Sequence, residues 1–222
     1  MRNGGHVNRD RGGRRTRRRA AAVDGEPEKR RAILHAAVRV FADKGYHGCR
    51  IADVANQAGV AYGLVYHYFR NKEELLESVF AEQWTMFITA LRAISEGTGS
   101  AADQVAGICR FAIDVFRRAP AAVRVLLLEV ARTPNAFRAG STRQTFDEAV
   151  AIVADIVRRG QRGGEFRKDA DPVVAAAALL GTLELTLTGM VIGLIRGGSD
   201  EEIEAVQRSV VDLALHGLAT AR

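Results

Sequence analysis

From Glu26 to the C-terminus, apolar residues recur every three or four positions, the spacing of helices that bury one face. Pro27 suits a first helical turn. Ile33, Ala37, Val40 and Phe41 then form one stripe, and Gly45 ends that helix. A second, short helix is predicted from Ile51 to Ala58, with Ile51, Val54, Ala55 and Ala58 on one side and Gly59 at its end. Val60 plugs a tight turn, and a third short helix begins at Ala61 or Tyr62. Two short helices around a three-residue turn, with small Ala55 where they approach, form a helix-turn-helix.

Long amphipathic stretches follow. One runs from Lys72 to about Glu96, with Leu76, Phe80, Trp84, Phe87 and Leu91 in register. Asn71 is its N-cap, and Glu74 stands at the capping-box position. Ser100 and Asp103 open another helix, carrying Ile108, Phe111, Ala112, Val115 and Phe116. "APAAVRVLLLEVAR" and the stretch to about Arg159 add two more, and a glycine-rich connection, "RGQRGGEFRKDADP", leads to Asp171 as cap and Pro172 as first residue of the next. Residues 173–195 hold one charge, Glu184. By length this stretch could span a membrane. Its alanine run is only mildly apolar, however, and the chain has no other such span, so a helix buried on all sides is the expected reading. Ser199 and Glu202 open a last helix with a stripe of Ile203, Val206, Val210, Leu213 and Gly217. No strand pattern is evident, and the fold class is all-α.

Charge divides this helical chain. Residues 1–19 hold eight Arg against one Asp, residues 26–72 hold eight Lys/Arg against four Asp/Glu, and residues 73–222 hold 16 against 20. A basic end on a mildly acidic body suggests binding to a polyanion. Residues 1–25 have almost nothing to bury and are expected to be a disordered arm that could follow a phosphate backbone. The domains are therefore this arm, a helix-turn-helix domain over 26–72, and a helical body over 73–222.

Catalytic chemistry finds no support. The five histidines, His6, His35, His47, His67 and His216, form no metal spacing, and no nucleophile elbow, P-loop or dinucleotide fingerprint follows a strand. Cys49 and Cys109 form no CxxC, which disfavours a disulfide framework or zinc site and fits a cytoplasmic chain. No secretory h-region follows the N-terminal arginines. The expectation is no enzyme activity, no metal and no cofactor.

The segment from about Arg31 to Leu76 resembles the DNA-binding domain of TetR/AcrR-type bacterial transcription regulators. The resemblance rests on Phe41, Gly45 and Tyr46; Val54, Ala55, Ala58, Gly59 and Val60; Tyr66, Tyr68 and Phe69; and Lys72, Glu73 and Leu75. It implies a homodimer joined through its last two helices, bound to double-stranded operator DNA and released by a small ligand, with no membrane partner. An enzymatic or membrane-associated helical protein that merely carries a helix-turn-helix is the alternative.

The resemblance places the DNA contacts at Arg50, Ala61, Tyr62, Gly63, Leu64, Tyr66, His67, Tyr68 and Lys72. Val65 and Phe69, four apart, should face inward; Tyr62, Gly63 and Tyr66 should face the major groove, and Lys72 should meet a phosphate. The chain departs from the family pattern at Ala61, where Ser or Thr is usual, at Leu64, often Thr, and at Cys49–Arg50, where Thr is usual. Those departures put the carried-over base contacts in doubt. In the body, Trp84, Phe87, Phe111, Phe116 and Met190 are the candidate lining of a ligand pocket, with Glu184 as its polar anchor or, on the plainer reading, a dimer-interface or solvent-edge residue. The expected inducer is an apolar small molecule or a fatty acyl-CoA.

Overall fold

The computed structural model describes residues 12–129 and 140–218. Its helices are α1 (Gly12–Gly48), α2 (Ile51–Ala58), α3 (Tyr62–Tyr68), α4 (Lys72–Ser95), α5 (Ala101–Arg118), α6 (Pro120–Arg124, continuing as a π-helical turn over Val125–Glu129), α7 (Gly140–Gly163), α8 (Pro172–Val191) and α9 (Asp200–Leu218). Every regular element among the described residues is helical, as the spacing predicts.

The predicted boundaries have visible causes. Asn71 Oδ1 accepts the Glu74 amide at 2.8 Å. The Ser100 hydroxyl accepts the Asp103 amide while the Asp103 carboxylate accepts the Ser100 amide, a complete capping box. Asp171 accepts from the amides of Val173 and Val174, with Pro172 just inside the helix. Gly59 adopts φ 66°, and the Val60 amide returns to the Ala55 carbonyl at 3.0 Å, which closes the turn between α2 and α3. Gly45, at φ 70°, breaks the helical path of α1 as expected.

Three boundaries differ from expectation. The α1 helix begins at Gly12, within the arm expected over residues 1–25 and fifteen residues before Pro27. Arginine and alanine are strong helix formers, and "RRTRRRAAA" offers no breaker. The remainder of that stretch, residues 1–11, lies outside the described residues. The stretch 173–195 stops as a helix at Val191, because Gly193 takes φ 78° and the amides of Leu194 and Ile195 both return to the Gly189 carbonyl. "APAAVRVLLLEVAR" forms α6 and its π-helical turn as far as Glu129.

Two cores result. In the head, Ile33, Leu34, Ala37 and Phe41 of α1 pack with Ile51, Val54 and Ala55 of α2, Val65 of α3, and Leu75, Leu76 and Val79 of α4; Ala122 and Val125 join from α6. In the body, Ile88 and Leu91 of α4 pack with Val105, Ile108 and Cys109 of α5, Val153, Ile156 and Val157 of α7, Leu179 and Leu183 of α8, and Val210 of α9. Helix α4 thus begins in one core and ends in the other. Its 24 residues span about 36 Å at 1.5 Å per residue.

Candidate nucleic-acid interface and regulatory body

Helix α3 is seven residues long, and its two faces are opposite in character. Val65 is fully buried, as is Phe69 just beyond the helix, and both belong to the head core. Tyr62 and Tyr66, one turn apart, are 54% and 44% exposed. Their rings meet edge to face at 5.2 Å and their hydroxyls lie 3.3 Å apart, so they form one ridge with two adjacent hydroxyl groups. A tyrosine hydroxyl can donate to a phosphate oxygen while its ring packs on sugar or base. Ala61 and Gly63 beside the ridge are exposed, and a Cβ at Gly63 would meet nothing within 4 Å. Leu64 is half-buried, and Arg50 is exposed at the start of α2. Ala61, Tyr62, Gly63, Tyr66 and Arg50 are therefore all accessible.

The other three residues expected on DNA, exposed His67 and half-buried Tyr68 and Lys72, also make contacts within the head. The Tyr68 hydroxyl donates to the Glu26 carbonyl at 3.2 Å, and His67 Nε2 lies 3.4 Å from Glu26 Oε1. Both tie the C-terminal end of α3 to α1. The Lys72 ammonium donates to the Tyr46 carbonyl at 2.6 Å and the Cys49 carbonyl at 3.0 Å, and sits 4.5 Å over the Tyr46 ring. It caps the chain leaving α1, a target 23 and 26 residues away, where a phosphate contact was expected. Glu74, expected to close a capping box onto Asn71, instead accepts the Arg70 amide and guanidinium, at 2.7 and 3.0 Å; these bonds hold its carboxyl below the usual range.

Asp53 carries a role with no sequence signal. Its carboxylate accepts from the Lys44 ammonium and the Arg50 amide, both at 2.7 Å, which joins the end of α1 to the start of α2. The Lys44 bond is the main reason its carboxyl sits below the ordinary value.

The six body residues expected to line one pocket fall in three places. Trp84 meets Phe80, Phe87 and Phe146 edge to face, at 5.7, 5.3 and 4.9 Å, and Phe87 stacks on Phe111 at 6.1 Å. This half-buried aromatic row joins α4, α5 and α7. Phe116 and Met190 instead line a cleft of about 380 Å³ at the junction of head and body, with Arg39, Ala42 and Asp43 of α1, Pro120, Ala121 and Arg124 around α6, and Val191. Glu184 joins neither: it is exposed on α8. The α8 segment is long and apolar enough to cross a membrane, with 28% of its apolar window buried. Its exposed side carries Val174, Ala178, Gly181, Leu185 and, beyond the helix end, Ile192. Leu213 of α9 is also exposed. Among the described residues, no three His, Cys, Asp or Glu side chains are grouped to hold a metal ion.

Comparison with known proteins accounts for this arrangement. The family model described as bacterial regulatory proteins, tetR family, matches residues 33–79, and a tetracyclin repressor-like C-terminal domain matches residues 102–191. The fatty acid metabolism regulator protein of Bacillus subtilis is 28% identical over 186 residues, 84% of this chain and 93% of that protein. The crystal structure of the transcriptional regulator FadR from Bacillus subtilis in complex with stearoyl-CoA is similar at TM-score 0.74 and 27% identity, across 84% of this chain and 98% of that one. The HTH-type transcriptional regulator RutR of Escherichia coli K12 is 30% identical over 66% of this chain and 68% of its own length. With a matching head, a matching body and relatives that are DNA-binding regulators, the chain belongs to the TetR family of bacterial transcription regulators.

Proposed function

We propose that the protein is a homodimeric cytoplasmic repressor, without enzymatic activity, that leaves its operator when a long-chain acyl-CoA binds the body. The observation that carries this reading is the placement of α4, whose Leu75, Leu76 and Val79 are buried in the head and whose Ile88 and Leu91 are buried in the body. A ligand that parts the aromatic row around Trp84, or widens the cleft beside α1, moves the head through this helix. Two recognition helices bind one duplex only when set about 34–36 Å apart, so a shift of a few ångström ends simultaneous contact.

Two further features support the reading. The apolar exposed stripe of α8, with small Ala178 and Gly181 among its larger residues, suits close packing of two copies through α8 and α9. It also gives a soluble explanation for the apolarity of α8. The ligand class follows from the similarity to a regulator bound to stearoyl-CoA across most of both chains.

The test is fluorescence anisotropy on the DNA flanking the gene, with stearoyl-CoA, stearate and coenzyme A titrated separately and Trp84 emission followed in parallel. Stearoyl-CoA should release the DNA and perturb Trp84. Because coupling is reciprocal, it must also bind free protein more tightly than DNA-bound protein. Equal affinity for both forms rejects this ligand class as the switch.

A further inference from the structure

The cleft of about 380 Å³ between head and body has a lining of two kinds. Phe116 and Met190 supply much of its apolar part. They belong to a third, small apolar cluster, with Ile113 and Ile203 buried and Ile195 packed against them. That cluster is close-packed behind them: a Cβ at Gly197 would lie 2.5 Å from Met190 Cε and 3.4 Å from Phe116 Cε1. The apolar side of the cleft is therefore held in place before any ligand arrives.

The polar part is charged. Arg39 and Asp43 of α1 and Arg124 of α6 line the same cleft, and all three are exposed. Among the described residues, neither guanidinium has a carboxylate partner, whereas Arg92, Arg117, Arg118, Arg159 and Arg167 of the body each hold one. Two guanidiniums against one carboxylate leave the cleft a net charge of +1. An anion placed there relieves the repulsion between the two cations, and a carboxylate accepts from a guanidinium in bidentate fashion.

Mostly apolar lining with a few convergent polar groups is the ordinary form of a small-molecule site, whose volume is about 300–1,000 Å³. This cleft stands near the lower end of that range, with the room of about a dozen waters at about 30 Å³ each. It is too small for a whole long-chain acyl-CoA, and its single excess charge is a poor match for a chain of phosphates. Both quantities fit a short apolar body with one negative charge.

We propose that this cleft binds a small amphipathic monoanion, a medium-chain or aromatic carboxylate, whose charge is met by Arg39 and Arg124 and whose apolar part lies on Phe116 and Met190. The site does not rest on the acyl-CoA reading. Arg39 stands on α1, which carries the head core, whereas Phe116, Arg124 and Met190 stand on α5, α6 and α8. A ligand held from both sides fastens the head to the body.

The experiment titrates octanoate, octanol, octylammonium and acetate into the full chain by calorimetry and records the thermal midpoint with each. Octanoate should bind saturably and raise the midpoint. Octanol and acetate each lack one half of the ligand and should bind at least tenfold more weakly; octylammonium should not bind. Arg39→Gln and Arg124→Gln replace exposed side chains and should fold as the parent does. Each should weaken octanoate by about fivefold, and the two together by about twentyfold, the scale of exposed ion pairs at independent positions. Arg208→Gln, on α9, should leave octanoate binding unchanged. Absence of saturable octanoate binding overturns the proposal. So does octanol that binds as well as octanoate, or octanoate affinity that survives the double substitution. Release of the parent chain from operator by stearoyl-CoA, measured alongside, tests the acyl-CoA reading separately. Release without octanoate binding sinks only the cleft proposal, and octanoate binding without release sinks only the acyl-CoA reading.

Discussion

Lys72 is where the family pattern and the structure make opposite demands. A lysine on the first turn of α4 should meet a phosphate, yet its ammonium donates to the Tyr46 and Cys49 carbonyls at 2.6 and 3.0 Å and covers the Tyr46 ring. Replacing it by Met keeps most of the stem and removes the charge. A hydrogen bond from a charged donor is worth about 1.5–3 kcal/mol where water is excluded. Lys72 is half-buried, so water can partly replace the ammonium, and the lower end of that range applies to the pair of bonds together. With a cation–π contribution of about 0.5–1 kcal/mol, Lys72→Met should cost about 2 kcal/mol of stability. For a chain of this size that is a fall of about 4–8 °C in thermal midpoint. The salt slope of operator binding should change by less than half a unit, whereas loss of a phosphate contact would flatten it by about 0.9 per protomer. Calorimetry and anisotropy on the same preparation decide the matter. An unchanged midpoint with a flattened slope would refute the capping role and return Lys72 to the DNA surface.

Other consequences are equally direct. Leu185, 73% exposed on α8, should hold two copies together, so Leu185→Glu should yield a monomer by analytical ultracentrifugation with unchanged helical circular dichroism and weakened operator binding; a variant that remains dimeric rules out this face. At Gly160 an added Cβ would lie 2.2 Å from the buried Phe166 ring and 2.9 Å from Ala101 Cβ, so Gly160→Ala should destabilise the body by about 1–3 kcal/mol in urea melts. Burial pushes the Cys109 thiol up to about 11 from its ordinary value of 9.0. It should resist Ellman's reagent at pH 8 until the chain is unfolded. Because the folded value is the higher one, its contribution to stability is intact below pH 9 and declines as pH rises from 9 towards 11. Labelling of Cys109 in the native protein within minutes would contradict that burial.

What the sequence reveals depends on how far apart the interacting groups lie. The faces of α3 follow from four-residue spacing: Val65 and Phe69 go inward, Tyr62 and Tyr66 outward. The caps at Asn71, Ser100 and Asp171 act over two or three residues and stand where the pattern puts them. The charge and polarity of Lys72, His67 and Tyr68 are visible in sequence, whereas their partners within the head, 23 to 42 residues away, are not. Glu184 can be read as a pocket anchor or as an interface or solvent-edge residue because α8 is apolar on every side, so periodicity cannot say which side is buried.

Helix α4 poses the same problem in its most consequential form. Its stripe of Leu76, Phe80, Trp84, Phe87 and Leu91 reads as one unbroken face, yet that face serves two cores. Leu76 and Val79 are buried in the head, Ile88 and Leu91 in the body, and Phe80, Trp84 and Phe87 between them are only half-buried. Between residues 80 and 87 the helix meets Phe111 and Phe146 through its aromatic side chains. A helix anchored in two cores carries a push on its middle to both ends. The aromatic run that periodicity presents as ordinary core is thus the part of the molecule best placed to convert occupancy of the body into movement of the head.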